Sequence, residues 1–259
     1  MDRDIHLSIV SHSQMGLVNE LLRDISRLES VGRLQITVIR NVPENISPCI
    51  PDHVVINIID NLEPAGFSCN HNFAFLNPPL KNERRWFGII NPDIRIKMDV
   101  LTVLAGVLEQ EHELGVVAPR IVNGVGKNED SARVLPTLGR LLLKVIGVKG
   151  EWPTVVGQGP FDPDWIAGMF MLFNAKAFEI VGMLDERYYL YYEDVDICSR
   201  LWLDGYRVRV IPDVYVVHDA KRQSHRDFRY ARWHIASMSR FLRSDVRKRA
   251  QAFHRARTR

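Results

Sequence analysis

LSIVSHSQMGLVNELLRDISRLESVGRLQITVIR (residues 7–40) changes its hydrophobic period twice. LSIVS (7–11) is a short apolar run, which predicts a buried strand. Residues 16–29 place Leu17, Leu21, Leu22, Ile25 and Leu28 at helical spacing. LQITVIR (34–40) is β-branched and alternating, a second strand. The proline-punctuated loop PENISPCIPDH (43–53) then leads to a third strand, VVINIID (54–60). Strand, helix, strand, loop, strand is the opening of a Rossmann-like half in an α/β fold with a mainly parallel sheet. RWFGIINPD (85–93) predicts a fourth strand that stops at Pro92. Parallel sheets bind ligands at the carboxyl ends of their strands, and Asn91 and Asp93 fall at such an end.

Beyond this half, MDVLTVLAGVLEQEHE (98–113) predicts a helix and GVVAPRI (115–121) a strand, followed by the polar loop NGVGKNED (123–130). Pro136 interrupts the next apolar stretch, so a helix is expected around 137–146. GEWPTVVGQGPFDPD (150–164), rich in Gly and Pro, reads as a long irregular segment and a candidate lid. WIAGMFMLFN (165–174) predicts a strand, AKAFEIVG (175–182) a short helix, and EDVDICSRLWLDG (193–205) an amphipathic helix capped by Gly205. YRVRVIPDVYVVHD (206–219) predicts a strand pair broken at Pro212, and residues 225–250 a final basic helix.

Of the 259 residues, 46% are hydrophobic and 25% charged, enough to bury a sizeable core. Cys49, Cys69 and Cys198 form no C-x-x-C pair, which suits free thiols in a reducing compartment. The start MDRDIHLSIV has no signal-peptide pattern, and no apolar run approaches the roughly 18–20 residues of a membrane span. The expected location is the cytoplasm. The net charge of +3 conceals an asymmetry: residues 219–259 hold 13 Lys/Arg against 3 Asp/Glu, a net of +10, leaving −7 elsewhere. Such a tail is either a solvated helix face or a contact for an anionic surface, such as the inner face of the cell membrane. It carries no recognisable nucleic-acid reader motif, so nucleic acid is not expected as a partner.

Four clusters hold residues suited to chemistry. Asn91-Pro92-Asp93 sets a carboxylate at a strand end, where it can hold Mg²⁺ or Mn²⁺. Glu193, Asp194 and Asp196 follow the aromatic run YYLYY (188–192). Three carboxylates in four residues exceed what a helix cap needs, and one can serve as general base for a hydroxyl. His218 closes the strand VYVVH; facing Asp93, it would complete a mixed N/O site. GFSCNHN (66–72) places Gly66 at a turn, and Asn70 and Asn72 either cap the next helix or bond a nucleotide sugar.

The order and spacing of these clusters resemble family 2 of the inverting glycosyltransferases, which have the GT-A fold, and within it the bacterial rhamnosyltransferase-like branch that assembles surface polysaccharide. The resemblance covers nearly the whole chain. It is strongest in DWIAGMFMLFNAKAFEIVGMLDERYYLYYEDVDICSRLWLDGYRVRVIPDVYVVHDAKRQS (164–224). That segment holds a W-x-x-G-x-x-x-L strand, a G-x-L-D-E-R-Y turn, Y-Y-E-D-V-D, a G-Y strand, and His followed by Ser. GFSCNHN and INPDI add to it.

The resemblance implies a single GT-A domain over 1–224, with a nucleotide-binding half (1–97), an acceptor-binding half (98–224) and a basic tail (225–259). It implies that Asn91-Pro92-Asp93 replaces the family's D-x-D, with Asp93 as metal ligand and Asn91 as a weaker ligand or ribose contact. His218 would complete the metal site. Asp194 would be the general base, with Glu193 and Asp196 orienting the acceptor or the base. Asp164, Trp165 and Gly168 would line the donor-sugar and acceptor pocket. Arg40-Asn41 stands where the family has Asp-Asn, and His12-Ser13 where it has Tyr-Asn. Arg40 is then a candidate to bind phosphate or stack on the base. The implied donor is dTDP-L-rhamnose, with a UDP-sugar second. The implied acceptor is a glycan or a lipid-diphosphate-linked glycan. The competing reading is a non-catalytic nucleotide-sugar-binding partner of an assembly complex, which would have no need of a base at Asp194.

Overall fold

Strand β1 (Ile5–Ser11) is buried along nearly all its length, and so is β2 (Leu34–Arg40), as the apolar runs require. Between them α1 (Met15–Ile25) buries Met15, Val18, Leu21, Leu22 and Ile25, and a 3₁₀ turn (Glu29–Arg33) completes the crossover. The computed structural model describes residues 3–136, 159–218 and 228–257. The remaining strands of the first half are β3 (Val55–Asp60), β4 (Trp86–Ile90) and the short β5 (Ile94–Arg95); α2 (Phe67–Leu76) precedes β4. In the second half come α3 (Val100–Gln110), β6 (Leu114–Asn123), β7 (Ala132–Arg133), β8 (Trp165–Ile166), β9 (Phe170–Asn174), α4 (Ala175–Ile180), α5 (Glu193–Leu203) and β10 (Arg207–His218). Helices α6 (Phe228–Arg243) and α7 (Asp245–Arg257) follow.

The main sheet runs β3-β2-β1-β4-β9-β6-β10-β5. β1, β2, β3 and β4 are mutually parallel, and β6 is parallel to β10. β9 lies antiparallel between β4 and β6, which makes the sheet mixed. One face packs on α1 and α3 through Leu21, Ile25, Leu101 and Leu104. The other packs on α2, α4 and α5 through Phe75, Phe178, Ile197 and Leu201.

Three elements differ from expectation. The predicted strand 165–174 divides into β8, which pairs with β7 in a small second sheet, and β9 in the main sheet. Ala167–Met169 turn between them and bring the Gly168 amide to Asp194. The strand pair predicted around Pro212 is one strand: a register shift between Ile211 and Tyr215 absorbs the proline, as bulges do. The final helix divides at Ser244, whose hydroxyl accepts from the Arg247 amide at 3.1 Å and so caps α7. The helix expected at 137–146 and most of the segment 150–164 lie outside the described residues.

The basic tail packs on the domain. Ser237 Oγ donates to the Leu190 carbonyl at 2.8 Å. Phe241 is fully buried and meets Tyr192 at 5.7 Å between ring centroids. Arg257 sits over Trp202 at 4.2 Å and donates to the Asp162 carbonyl at 2.6 Å.

Candidate active site

The ends of β1, β2 and β4 open into a cleft of about 420 Å³, closed on its far side by the Tyr189–Tyr191 run, the start of α5, and α6. At one end Asp93 follows β4. The antiparallel pairing of β5 with β10 puts Ile94 opposite His218, so residues 125 apart in sequence become neighbours. His218 Nε2 lies 3.1 Å from Asp93 Oδ2, and His218 Nδ1 lies 2.5 Å from Glu129 Oε2. The 123–130 loop brings Glu129 there by folding back on β6, with the Glu129 amide donating to the Ile121 carbonyl at 2.9 Å. Burial alone would lower the imidazole pKa. The hydrogen bonds and charges of Asp93 and Glu129 outweigh it and raise the value from 6.5 to about 9.

Among the described residues, no group of three His, Cys, Asp or Glu side chains is arranged to hold a metal by itself. Asp93 Oδ1 is nonetheless buried without a protein partner. The free carboxylate oxygen fits a Mg²⁺ or Mn²⁺ ion that takes its other ligands from phosphate and water; His218 would join it only by giving up the Nε2 proton that its bond to Asp93 holds.

Deeper in the cleft, two consecutive left-handed residues, Tyr191 (φ 69°) and Tyr192 (φ 68°), turn the chain into α5. Aromatic residues rarely adopt this conformation, and here it sets the first turn of α5 against the cleft. Asp194 Oδ2 accepts from the Gly168 amide at 3.1 Å, and Oδ1 from the Val195 amide at 2.8 Å. Burial raises the Asp194 pKa against the pull of these amides and of Arg133. Burial, with the Asp194 charge beside it, raises that of Glu193 well above the usual carboxylate range. Glu193 borders the cleft, and its Oε2 is buried without a protein partner. Asp196 points elsewhere: it is buried and binds Arg200 at 2.7 Å.

At the β1–β2 end, Asn41 forms an amide cluster. Its Oδ1 accepts from Ala65 N and from Asn61 Nδ2, both at 2.8 Å, and its Nδ2 donates to the Ala65 carbonyl at 2.9 Å. Asn70 Oδ1 accepts from Asn61 at 2.7 Å, and Asn70 Nδ2 donates to the Gly66 carbonyl at 3.0 Å. Both asparagines border the cleft, but neither Asn70 nor Asn72 caps a helix, because α2 begins at Phe67. Asn72 is buried and binds Leu184 and Glu186. Arg40 pairs with Asp60, its register partner on β3, and does not border the cleft. Gly66 leaves room for the aromatic run: a side-chain carbon there would come within 2.8 Å of the Tyr189 carbonyl oxygen.

Asp164 and Trp165 sit behind the cleft. Asp164 accepts from the Leu135 amide at 2.7 Å and lies 3.0 Å from His254 of α7, while Trp165 donates to the Val134 carbonyl at 3.0 Å. Gly168 borders the cleft, as do Asn91, Asp93, Glu193 and Asp194. Sequence reading missed Glu129, Arg133, Tyr230 and Trp233. The last two come from the tail, where they stand among basic residues without a motif to mark them.

No protein-family model matches the chain. Over 247 residues it is 26% identical to rhamnosyltransferase WbbL of Escherichia coli, covering 92% of each protein. It is 29% identical over 151 residues to the N-acetylglucosaminyl-diphospho-decaprenol L-rhamnosyltransferase of Mycobacterium tuberculosis, covering 55% of this chain and 49% of that one. In fold it is similar to a Pyrobaculum calidifontis mannosyltransferase solved with GDP-mannose and Mn²⁺. The TM-score is 0.60 at 13% identity, over 94% of this chain and 66% of that one. The mixed α/β sheet with its strand-end cleft is the GT-A fold, and along 92% of its length the chain is similar to a rhamnosyltransferase.

Proposed function

We propose that the chain transfers L-rhamnose from dTDP-L-rhamnose, with inversion, to a hydroxyl of a lipid-diphosphate-linked glycan. The observation that carries this reading is that Asp93 and Asp194 border one cleft although they belong to different halves of the chain. The donor base lies over the β1–β2 end, beside Asn41 and His12, and the diphosphate lies toward Asp93 and Arg133. Asp93, with His218, would hold a Mg²⁺ or Mn²⁺ ion, and such an ion would supply charge neutralisation for the departing nucleoside diphosphate. Asp194 takes the proton from the acceptor hydroxyl as that oxygen attacks the anomeric carbon. One base and one displacement invert the configuration. Closure of the cleft by Tyr189, Tyr191 and α6 limits the water that would otherwise hydrolyse the donor.

No helix among the described residues is long and apolar enough to cross a membrane. The outer face of α6, with exposed Phe228 and Ile235 among Arg232, Arg240 and Arg243, suits contact with an anionic bilayer that carries the acceptor.

Thermal-shift titration with dTDP, UDP and GDP, with and without Mn²⁺, tests the donor assignment. We expect dTDP to stabilise most, with UDP next, and the ion-dependent part to vanish in Asp93→Ala. A response to GDP alone refutes it.

A further inference from the structure

A pyranose has one or two faces of C–H groups and a rim of hydroxyls. Proteins that select sugars meet the first with an aromatic ring and the second with carboxylates or amides, because the ring face is electron-rich. The cleft holds both, and one half of the pair comes from the C-terminal helices.

Trp233 and Tyr230 of α6 border the cleft together with Tyr189 and Tyr191. The Trp233 ring lies 4.7 Å from that of Tyr189 at 30°, and 5.3 Å from that of Tyr230 at 86°, so the three form a corner. All are half-buried. The corner is held from behind. Tyr189 O accepts from the Phe67 amide at 2.7 Å, Ser237 anchors α6 to Leu190, and Phe241 is buried beside Tyr192. A platform so fixed loses little entropy on binding. Tyr191 leads directly into Glu193 and Asp194, and Glu193 Oε2 has no protein partner although the residue is 5% exposed.

We propose that this corner is the acceptor subsite: a pyranose ring of the acceptor stacks on Trp233, flanked by Tyr230 and Tyr189, with a ring hydroxyl bonded to Glu193. The inference rests on the glycosyltransferase reading and extends it to a ligand and to residues of the tail. The occupant is the acceptor because the donor nucleotide belongs to the strand ends at Asn41 and Asp93. The corner instead adjoins Asp194, which must reach the acceptor hydroxyl.

The test is saturation-transfer NMR on the full chain with dTDP, Mg²⁺ and three probes: methyl glycosides of N-acetylglucosamine, galactose and rhamnose. Wild type should saturate the C–H face of at least one probe. Trp233→Ala should weaken that probe about tenfold, from lost stacking, while the dTDP signal persists. Trp233→Phe should retain most of the binding, and Glu193→Gln should weaken the probe without abolishing the stacking signal. Should Trp233→Ala not fold, Tyr230→Ala and Trp233→Phe carry the comparison.

Equal saturation in wild type and Trp233→Ala, or no probe bound by wild type, overturns the subsite. A loss of dTDP binding in Trp233→Ala also overturns it and makes the corner a nucleobase platform. Failure of wild type to bind any nucleotide would instead strike the glycosyltransferase reading.

Discussion

Asp194 combines the properties a general base needs: burial that raises its proton affinity, two amide donors that fix its orientation, and a place on the cleft. Asp194→Asn keeps the shape and one acceptor oxygen but removes the basicity. Turnover should fall by roughly 10²–10⁴-fold with nucleotide affinity unchanged, as steady-state kinetics with a parallel dTDP titration would show. Wild-type turnover would move the role to another residue. Asp93, Asp194 and His218 stand out as candidates because short motifs mark them, and the structure brings Asp93 to His218 and sets Asp93 and Asp194 on one cleft. Glu129 was not, since nothing in NGVGKNED says that the loop folds back on β6 to reach His218. Arg40 misled for a related reason: its partner Asp60 is adjacent only through strand register.

At the level of elements, two glycines separate geometry from propensity. Gly66, before α2, faces the Tyr189 backbone, which cannot rotate away as a side-chain tip would. Gly66→Ala should cost about 1–3 kcal/mol through overpacking. Gly106 lies within α3 with nothing within 4 Å of an added carbon. Gly106→Ala should stabilise by about 0.4–1 kcal/mol by restricting the unfolded chain. Urea unfolding of both variants checks the pair; equal effects would mean that the Gly66–Tyr189 approach does not constrain the cleft. Periodicity alone found most of these elements. It failed at β8–β9 and at Pro212, where tertiary hydrogen bonds and a bulge override the local pattern.

For the molecule as a whole, two histidines buried under the sheet set its response to acid. His6 Nε2 lies 2.9 Å from Thr37 Oγ1, and His71 Nδ1 lies 2.7 Å from Ser8 Oγ. Burial, with Arg84 adding to it at His6, lowers both pKa values from 6.5 to about 3. Above pH 6.5 neither the folded nor the unfolded state is protonated, so the full stability is present. Below it the unfolded state gains protons first, and each histidine removes about 1.4 kcal/mol per pH unit until the folded pKa is reached. Between pH 7 and pH 5 the pair should therefore cost about 4 kcal/mol, a loss that His6→Gln with His71→Gln should largely abolish in urea titrations. An unchanged pH slope in the double variant would contradict the burial account. At this scale the tail was the least legible part of the chain: its charge is plain in the sequence, but the aromatic face that joins it to the cleft appears only once α6 is docked. The most direct test of the whole account is ¹H NMR of dTDP-L-rhamnose incubated with the protein, Mn²⁺ removed before detection, and a short-chain alkyl diphospho-N-acetylglucosamine as acceptor. The account predicts ion-dependent loss of the donor and a rhamnoside of opposite anomeric configuration. Turnover that persists in chelator, or a product that retains the donor's configuration, would contradict it.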